Sequence, residues 1–564
     1  MYDSFIEHFS YQPSKSQKMH LKNDAEARMS QLSTKSTLAE VTEQPWKPTR
    51  TELGIMITLA VCSLVVALDA TILVSVLPTL AIDLDGTAAE AFWTGTSYLL
   101  AHAVLQPFIA SLSEGFGRRE LLVPSVLSFA GGSIVCGLAH NFPVMLTGRV
   151  LQGFGGAGII TLSQLVYADL VPLRLRPKYF TMVLGAWALG SLLGPLVGGL
   201  FVERATWRWC FWLNLPICTV ALPMTFFFLG ALTKPKSNLL MKLRSIDWIG
   251  NTLFIASLTS LLIAISWAGI SYSWSDYQTI LPLVLGTTGL ILSVAYEMRL
   301  ASNPFLSQNI FKSRSAVASY IIAMLQGLAL YMALYYSAFY FSATHFFSPI
   351  RTGLSVFPAT TLMLPGSAIV SALIAHTGRF RWAIWAGFAI STASAGLFTL
   401  WDDKTRTPVW AACECFFGLG MGMLLSSVNF STQAAVEPED AGQAAAMYAF
   451  MRSVGMTVGV AVGGTVFQNV MKRKLSELGV EGAGELARHA EGFIEVLKGM
   501  ATTGAEGRMR EDVMEGYVCG FRGVWITMTA LCAAGLVVSL FIGRGNLDRV
   551  LKSKFTVKER GEGR

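Results

Sequence analysis

Apolar residues run in blocks of about twenty along most of the chain, and short polar or basic stretches separate the blocks. A block of that length suits a helix crossing a hydrocarbon core about 30 Å thick, at about 1.5 Å of rise per residue. Windows of about 19 residues predict such helices near 54–80, 91–112, 120–140, 143–165, 178–202 and 208–230. Eight more are predicted near 247–268, 277–297, 315–341, 350–375, 381–401, 408–432, 441–470 and 520–543. The pattern is that of an all-α polytopic membrane protein with fourteen transmembrane helices.

Composition agrees: 53% of residues are hydrophobic and 14% charged, against roughly 25% charged in soluble domains. The net charge of +7 would suggest a nucleic-acid partner in a soluble protein. Here the basic residues fall in the connections between apolar blocks, so orientation in the bilayer explains them better. With the amino terminus inside, Arg118 and Arg119, Arg174 to Lys178, Lys234, Lys236, Lys242, Arg244, Lys312, Arg314, Arg379 and Arg381 all face the cytoplasm. Residues 1–50 lack the features of a secretory signal and predict a disordered cytoplasmic tail; 546–564, with Lys558 and Arg560, predict a second. The stretch 471–519 is expected to be a long external loop carrying an amphipathic surface helix. Cys62, Cys136, Cys210, Cys218, Cys413, Cys415 and Cys532 sit in apolar runs without metal-ligand spacing, so no metal site is expected.

Comparing the chain with itself exposes a repeat. Arg149-x-x-x-Gly153-x-Gly155 returns as Glu414-x-x-x-Gly418-x-Gly420, and Gly190-x-x-x-Gly194-x-x-x-Gly198-Gly199 returns as Gly455-x-x-x-Gly459-x-x-x-Gly463-Gly464. A weaker pair matches Leu112 and Gly117-Arg118 with Leu373 and Gly378-Arg379. The expected organisation is a six-helix half at 51–232, two linker helices at 233–300 and a second six-helix half at 301–545.

Gly153-x-Gly155-x-x-Gly158 also spells the glycine pattern of dinucleotide-binding folds. That use needs a strand before the glycines and an acidic residue about 20 positions on. Here the glycines interrupt a long apolar run, and Asp169 lies too close. Close helix packing is the better reading, and no cofactor is expected.

Charges inside the bilayer are expensive and usually face a cavity or a partner. Asp69 lies in mid-helix, where burial penalises its charge, and is a candidate for proton coupling or substrate contact. Arg149 cannot shed its proton and needs an acceptor; Gln152 lies on nearly the same helix face. Glu414, the repeat mate of Arg149, and Arg452 complete the set. The turn containing Glu114, Gly117, Arg118 and Arg119 can lock one conformation through charge pairs and release it in another. Gly190, Gly194, Gly198 and Gly199 offer a close-packing face, while Pro195 bends the helix. Trp93, Tyr98, Trp187, Tyr335, Tyr336 and Phe339 are candidates for lining a substrate pocket.

Together these motifs resemble the major facilitator superfamily, in particular its fourteen-span drug:proton antiporters and the fungal exporters of drugs and secondary metabolites. "LDATILVSVLP", "SLSEGFGRR", "GRVLQGFGGAG", "GSLLGPLVGG" and "WRWCFWLNLPI" carry the likeness, over about residues 50–545. Ala110 and Glu114 depart from that family's Gly and Asp, and 441–470 holds no carboxylate, leaving the proton number open. The resemblance implies a major facilitator fold and a non-enzymatic, monomeric transporter exchanging protons for a small, moderately hydrophobic molecule. It implies that Asp69 and Arg149 serve proton coupling, that Glu114, Gly117 and Arg118 switch conformation, and that Gly194 and Pro195 shape the antiport path. Proton-coupled uptake, for example of a siderophore, is the alternative. The plasma membrane is the expected location, with an internal acidic compartment left open.

Overall fold

The computed structural model describes residues 46–73, 76–86, 88–233, 238–244, 246–269, 272–301, 307–501, 503–545, 547, 555 and 557. The predicted tail at 1–45, most of the tail at 546–564, and Lys234 and Lys236 lie outside the described residues.

Every apolar block expected to span is helical. The helices are α1 (Arg50–Ile72), α2 (Ala88–Phe116), α3 (Arg118–Gly137), α4 (Phe142–Leu170), α5 (Arg176–Arg204), α6 (Asn214–Phe228) and α7 (Trp248–Trp267). They continue as α8 (Tyr277–Arg299), α9 (Arg314–Thr344), α10 (Phe357–Thr377), α11 (Arg381–Phe398), α12 (Thr407–Ala434), α13 (Ala441–Glu477) and α14 (Gly504–Ser539). Among the described residues, twelve helical segments are long and apolar enough to cross a membrane; α2 and α11 fall outside that set. No strand occurs among the described residues.

Local chemistry sets several boundaries. Asn141 caps α4 by accepting from the Val144 N–H at 3.0 Å, with Pro143 in the first turn. The predicted first span breaks after Ile72 and resumes as a short helix, Leu77–Asp83, with a proline in its first turn. The α2–α3 turn needs Gly117, whose φ is +103°, and its repeat mate Gly378 ends α10 at φ +66°. The largest departure from expectation is at 471–519. α13 continues to Glu477, α14 begins at Gly504, and two short helices, Ala483–Arg488 and Ala490–Gly499, lie between them. The second of these buries Ala490, Ile494 and Leu497, one face at helical spacing. The stretch is therefore mostly helix, because its apolar positions keep the helical period beyond the bilayer-length window.

The repeated glycines bring equivalent helices into contact. A Cβ at Gly153 would lie 2.8 Å from the Tyr98 carbonyl oxygen, and one at Gly155 2.5 Å from the Phe129 nitrogen, so α4 presses on α2 and α3. In the same way Gly418 faces the Ala359 backbone and Gly420 the Gly387 carbonyl, setting α12 against α10 and α11. Gly190 and Gly194 put α5 on α1, as Gly455 and Gly459 put α13 on α9. Small residues allow such backbone approach in membrane helices. α7 and α8 pair with each other and touch the bundle through α7, against α2 and α13.

Candidate functional site

Four helices converge on one buried charge cluster. α1 supplies Asp69, α4 supplies Arg149 and Gln152 one turn apart, α3 supplies Ser133, and α6 opens with Asn214. All five side chains are buried, and Asp69 is fully enclosed. Arg149 Nη1 donates to Asp69 Oδ2 at 2.6 Å and to Gln152 Oε1 at 2.7 Å, and its Nε donates to the Thr94 carbonyl at 2.9 Å. Asp69 Oδ1 accepts from Gln152 Nε2 at 2.9 Å and Asn214 Nδ2 at 2.8 Å. The same two amides donate to Ser133 Oγ at 2.8 and 3.2 Å. Three donors thus hold one carboxylate, and the ion pair has no net charge. That satisfies the condition under which buried ions are tolerated.

The cluster touches a central cavity through Tyr98, whose ring lies 4.4 Å from the Arg149 guanidinium carbon. The cavity is bounded by α1, α2, α4 and α5 on one side and by α9 and α13 on the other, with Tyr98, His102, Gln164, Trp187, Tyr331 and Arg452 on its wall. Gln106 crosses between α2 and α13, bonding Ser453 Oγ at 3.0 Å while also lying 3.0 Å from His102 Nε2.

The sequence candidates therefore separate. Asp69, Arg149 and Gln152 come together; Tyr98, Trp187 and Arg452 line the cavity. Glu414 lies elsewhere, in a small pocket with Leu334, Thr360 and Phe417, facing Ser337. It makes no ion pair with Arg452. Trp93 packs edge-on against Trp267 of α7, its ring centroid 6.1 Å away. Tyr336 donates to the Val460 carbonyl at 3.0 Å, Phe339 sits among Phe467, Tyr517 and Phe521, and Tyr335 packs on the apolar cluster around Ile72 and Trp207. These four aromatics fill helix interfaces and are absent from the cavity wall, since a large ring near a helix crossing gains most by packing there.

At the end of the bundle where α2 meets α3, Arg118 pairs with Asp169 at 2.9 Å and also donates to Ser113 Oγ. Arg119 stacks on Phe226 at 3.9 Å. Glu114 accepts from Gln443 of α13 at 2.8 Å. Arg176 donates to Gln433 of α12 at 2.6 Å and to the Ala168 and Val171 carbonyls, while Asn429 donates to Gln164 at 3.2 Å. The Glu114–Gln443, Arg176–Gln433 and Gln164–Asn429 bonds tie early helices to late ones at that end. At the opposite end Gly199 lies against the Ile350 backbone, and Gly353 against the Pro195 carbonyl.

Sequence reading missed Asn214, Ser133, Asp169, His102 and Gln106. Asn214 had a signal, a lone amide in the apolar run of "WRWCFWLNLPI". Asp169 had a weaker one, a carboxylate at the last turn of a spanning helix. Ser133 had none, because a serine alone in an apolar helix is commonplace.

A family model described as the Major Facilitator Superfamily matches residues 59–460. The chain belongs to the Major Facilitator Superfamily. It is a multi-pass membrane transporter of small molecules and not an enzyme. Among its relatives, MFS transporter L2 of Phoma sp. is 37% identical over 512 residues, covering 90% of this chain and 85% of the relative. MFS efflux transporter aclA of Aspergillus oryzae is 34% identical over 503 residues, 89% of this chain and 91% of the relative. The bacterial homologue of the lysosomal transporter Spinster has a solved structure of the same fold. Its TM-score is 0.54 at 16% identity, covering 89% of this chain and 98% of that one.

Proposed function

We propose that this chain is a proton-coupled exporter that crosses the membrane fourteen times and exchanges protons for a small, moderately hydrophobic organic compound. The observation that carries this reading is the buried Asp69–Arg149 cluster set directly against the central cavity. A proton arriving on Asp69 removes the negative partner of Arg149, which must then find another acceptor and shift its neighbours. α1 and α4 carry the pair, and glycine contacts link α1 to α5. A protonation event can therefore bias helix packing around the cavity. The names of relatives such as aclA and the efflux pump FUS6 of Gibberella moniliformis, 32% identical over 513 residues, support the outward direction.

In this reading the six-helix halves 51–232 and 301–545 rock against each other, with α7 and α8 as an insert. Gly190, Gly194, Pro195, Gly198 and Gly199 form the face on which α5 moves. The bonds of Glu114 and Arg176 to Gln443 and Gln433 hold one end shut, while Arg118, paired with Asp169 inside the first half, shapes the turn with Gly117 and Arg119. That end faces the cytoplasm, where its basic residues belong, and the plasma membrane is the expected site. Each pH unit supplies about 1.4 kcal/mol per proton, enough to sustain about a tenfold gradient.

The test uses inside-out membrane vesicles from cells expressing the chain, assayed with extracts of a secondary-metabolite-producing fungus. An interior-acid gradient is expected to drive chain-dependent accumulation of one or a few compounds, and Asp69→Asn to abolish the pH dependence while sparing substrate-for-substrate exchange. Accumulation driven only by an exterior-acid gradient would establish uptake instead, and wild-type pH dependence in Asp69→Asn would remove Asp69 from the coupling role.

A further inference from the structure

The central cavity holds a second cation, Arg452, and no described residue neutralises it. Arg452 Nε and Nη2 are both buried and lack any hydrogen-bond acceptor. No carboxylate lines the cavity among the described residues. The nearby Asp69 charge is already matched by Arg149, so the wall carries a net positive charge. Guanidinium does not lose its proton at any physiological pH, and donors buried without acceptors are unfavourable.

The geometry of this side chain is specific. The Trp187 ring lies 4.9 Å from the Arg452 guanidinium carbon. Stacking on a ring uses the face of the guanidinium plane and leaves its edge donors free. The two unsatisfied atoms, Nε and Nη2, share one edge of that plane and form a fork that matches the two oxygens of a carboxylate. Other unsatisfied polar atoms on the same wall are Tyr98 Oη, Tyr331 Oη and His102 Nδ1. Phenol hydroxyls donate readily to an anion. Val66, Leu99, Ile160 and Met456 supply the apolar remainder.

We infer that the central cavity takes an amphipathic organic anion whose carboxylate is gripped by Arg452, with the apolar body against the aliphatic wall. The inference rests on the transport reading above and adds the class of substrate. An organic cation would meet like charge, and a neutral molecule would leave the fork empty.

The test uses the full-length chain in lipid nanodiscs and a matched pair of probes, 9-anthracenecarboxylate and the neutral 9-anthracenecarboxamide. Binding is read as energy transfer from tryptophan to the anthracene ring. The carboxylate is expected to bind at least about tenfold more tightly than the amide, equivalent to about 1.4 kcal/mol. Arg452→Gln should erase that preference, and Arg452→Lys, which keeps the charge without the fork, should retain part of it. Arg452→Lys also covers the case in which Arg452→Gln fails to fold. Equal binding of the two probes, no saturable binding of the carboxylate, or a preference that survives Arg452→Gln would each overturn the inference. Counterflow of the carboxylate in proteoliposomes separates the two readings. An Arg452-dependent preference without movement would remove export and keep the anion site, whereas movement without preference would do the reverse.

Discussion

Arg149 and Glu414 occupy the same position in the two copies of the repeat, and their helices make the same glycine contacts with equivalent neighbours. Arg149 is enclosed by an ion pair and two further hydrogen bonds, and its partner Asp69 accepts from three donors. Glu414 has Ser337 on one side and a buried Oε2 with no partner on the other. One backbone frame thus supports a closed charge network in the first copy and a lone, incompletely bonded carboxyl in the second. The difference lies in the neighbours. α1 presents Asp69 to Arg149 and α6 presents Asn214 to that same carboxylate, while the corresponding wall around Glu414 is largely apolar, with Leu330, Val356 and Phe398. Symmetry in backbone packing therefore does not carry symmetry in charge.

The sharpest way to break this contrast is to remove one member of the closed network. Asp69→Ala leaves Arg149 buried and unpaired, a loss expected to cost about 3–5 kcal/mol and to abolish transport, read as a lowered Tm and absent vesicle uptake. The double variant Asp69→Asn with Arg149→Gln should recover most of the stability and none of the coupling. An Asp69→Ala protein as stable as wild type would mean that the network is not closed.

Asn214→Ala removes two hydrogen bonds, one of them to the Asp69 carboxylate. Its expected cost is about 1.5–3 kcal/mol, measured by thermal unfolding, with slowed transport. A smaller cost than that of Glu414→Gln would invert the comparison. Glu414→Gln itself is expected to change stability by less than about 1 kcal/mol, because it replaces a carboxyl by an amide of the same shape and leaves no charged partner orphaned.

The smallest effect concerns Glu491, on the short helix at the far end of the bundle. Burial pushes its carboxyl up to about 7. The folded state therefore binds a proton that the unfolded state releases near pH 4.5, so stability is reduced above pH 7 and recovers as pH falls through 7. Glu491→Gln should raise Tm at pH 8, leave it unchanged at pH 4, and flatten the profile between them. An unchanged slope would place the titration on another group.

Much of the fold was legible because helix formation in a bilayer is a local requirement. An apolar block must satisfy its own backbone hydrogen bonds, and each predicted block is helical. The repeat was legible for a related reason, since close backbone approach leaves a glycine at each contact. The ends of α13 and α14 were misread, because a bilayer-length window stops where hydropathy falls although the helix continues in contact with its neighbours.

The site divides along the same line. Sequence by itself determined which charges enter the membrane, Asp69, Arg149, Glu414 and Arg452, because apolar surroundings make each of them visible. Which of them meet was decided by the tertiary structure alone. Asp69 and Arg149 are 80 residues apart and pair because α1 packs within hydrogen-bonding reach of α4, itself set against α2 and α3 by glycines. Arg452, equally visible in the sequence, is left facing an open cavity because no acidic side chain packs beside it. A buried charge announces itself one residue at a time, whereas its neutralisation depends on the distance between helices.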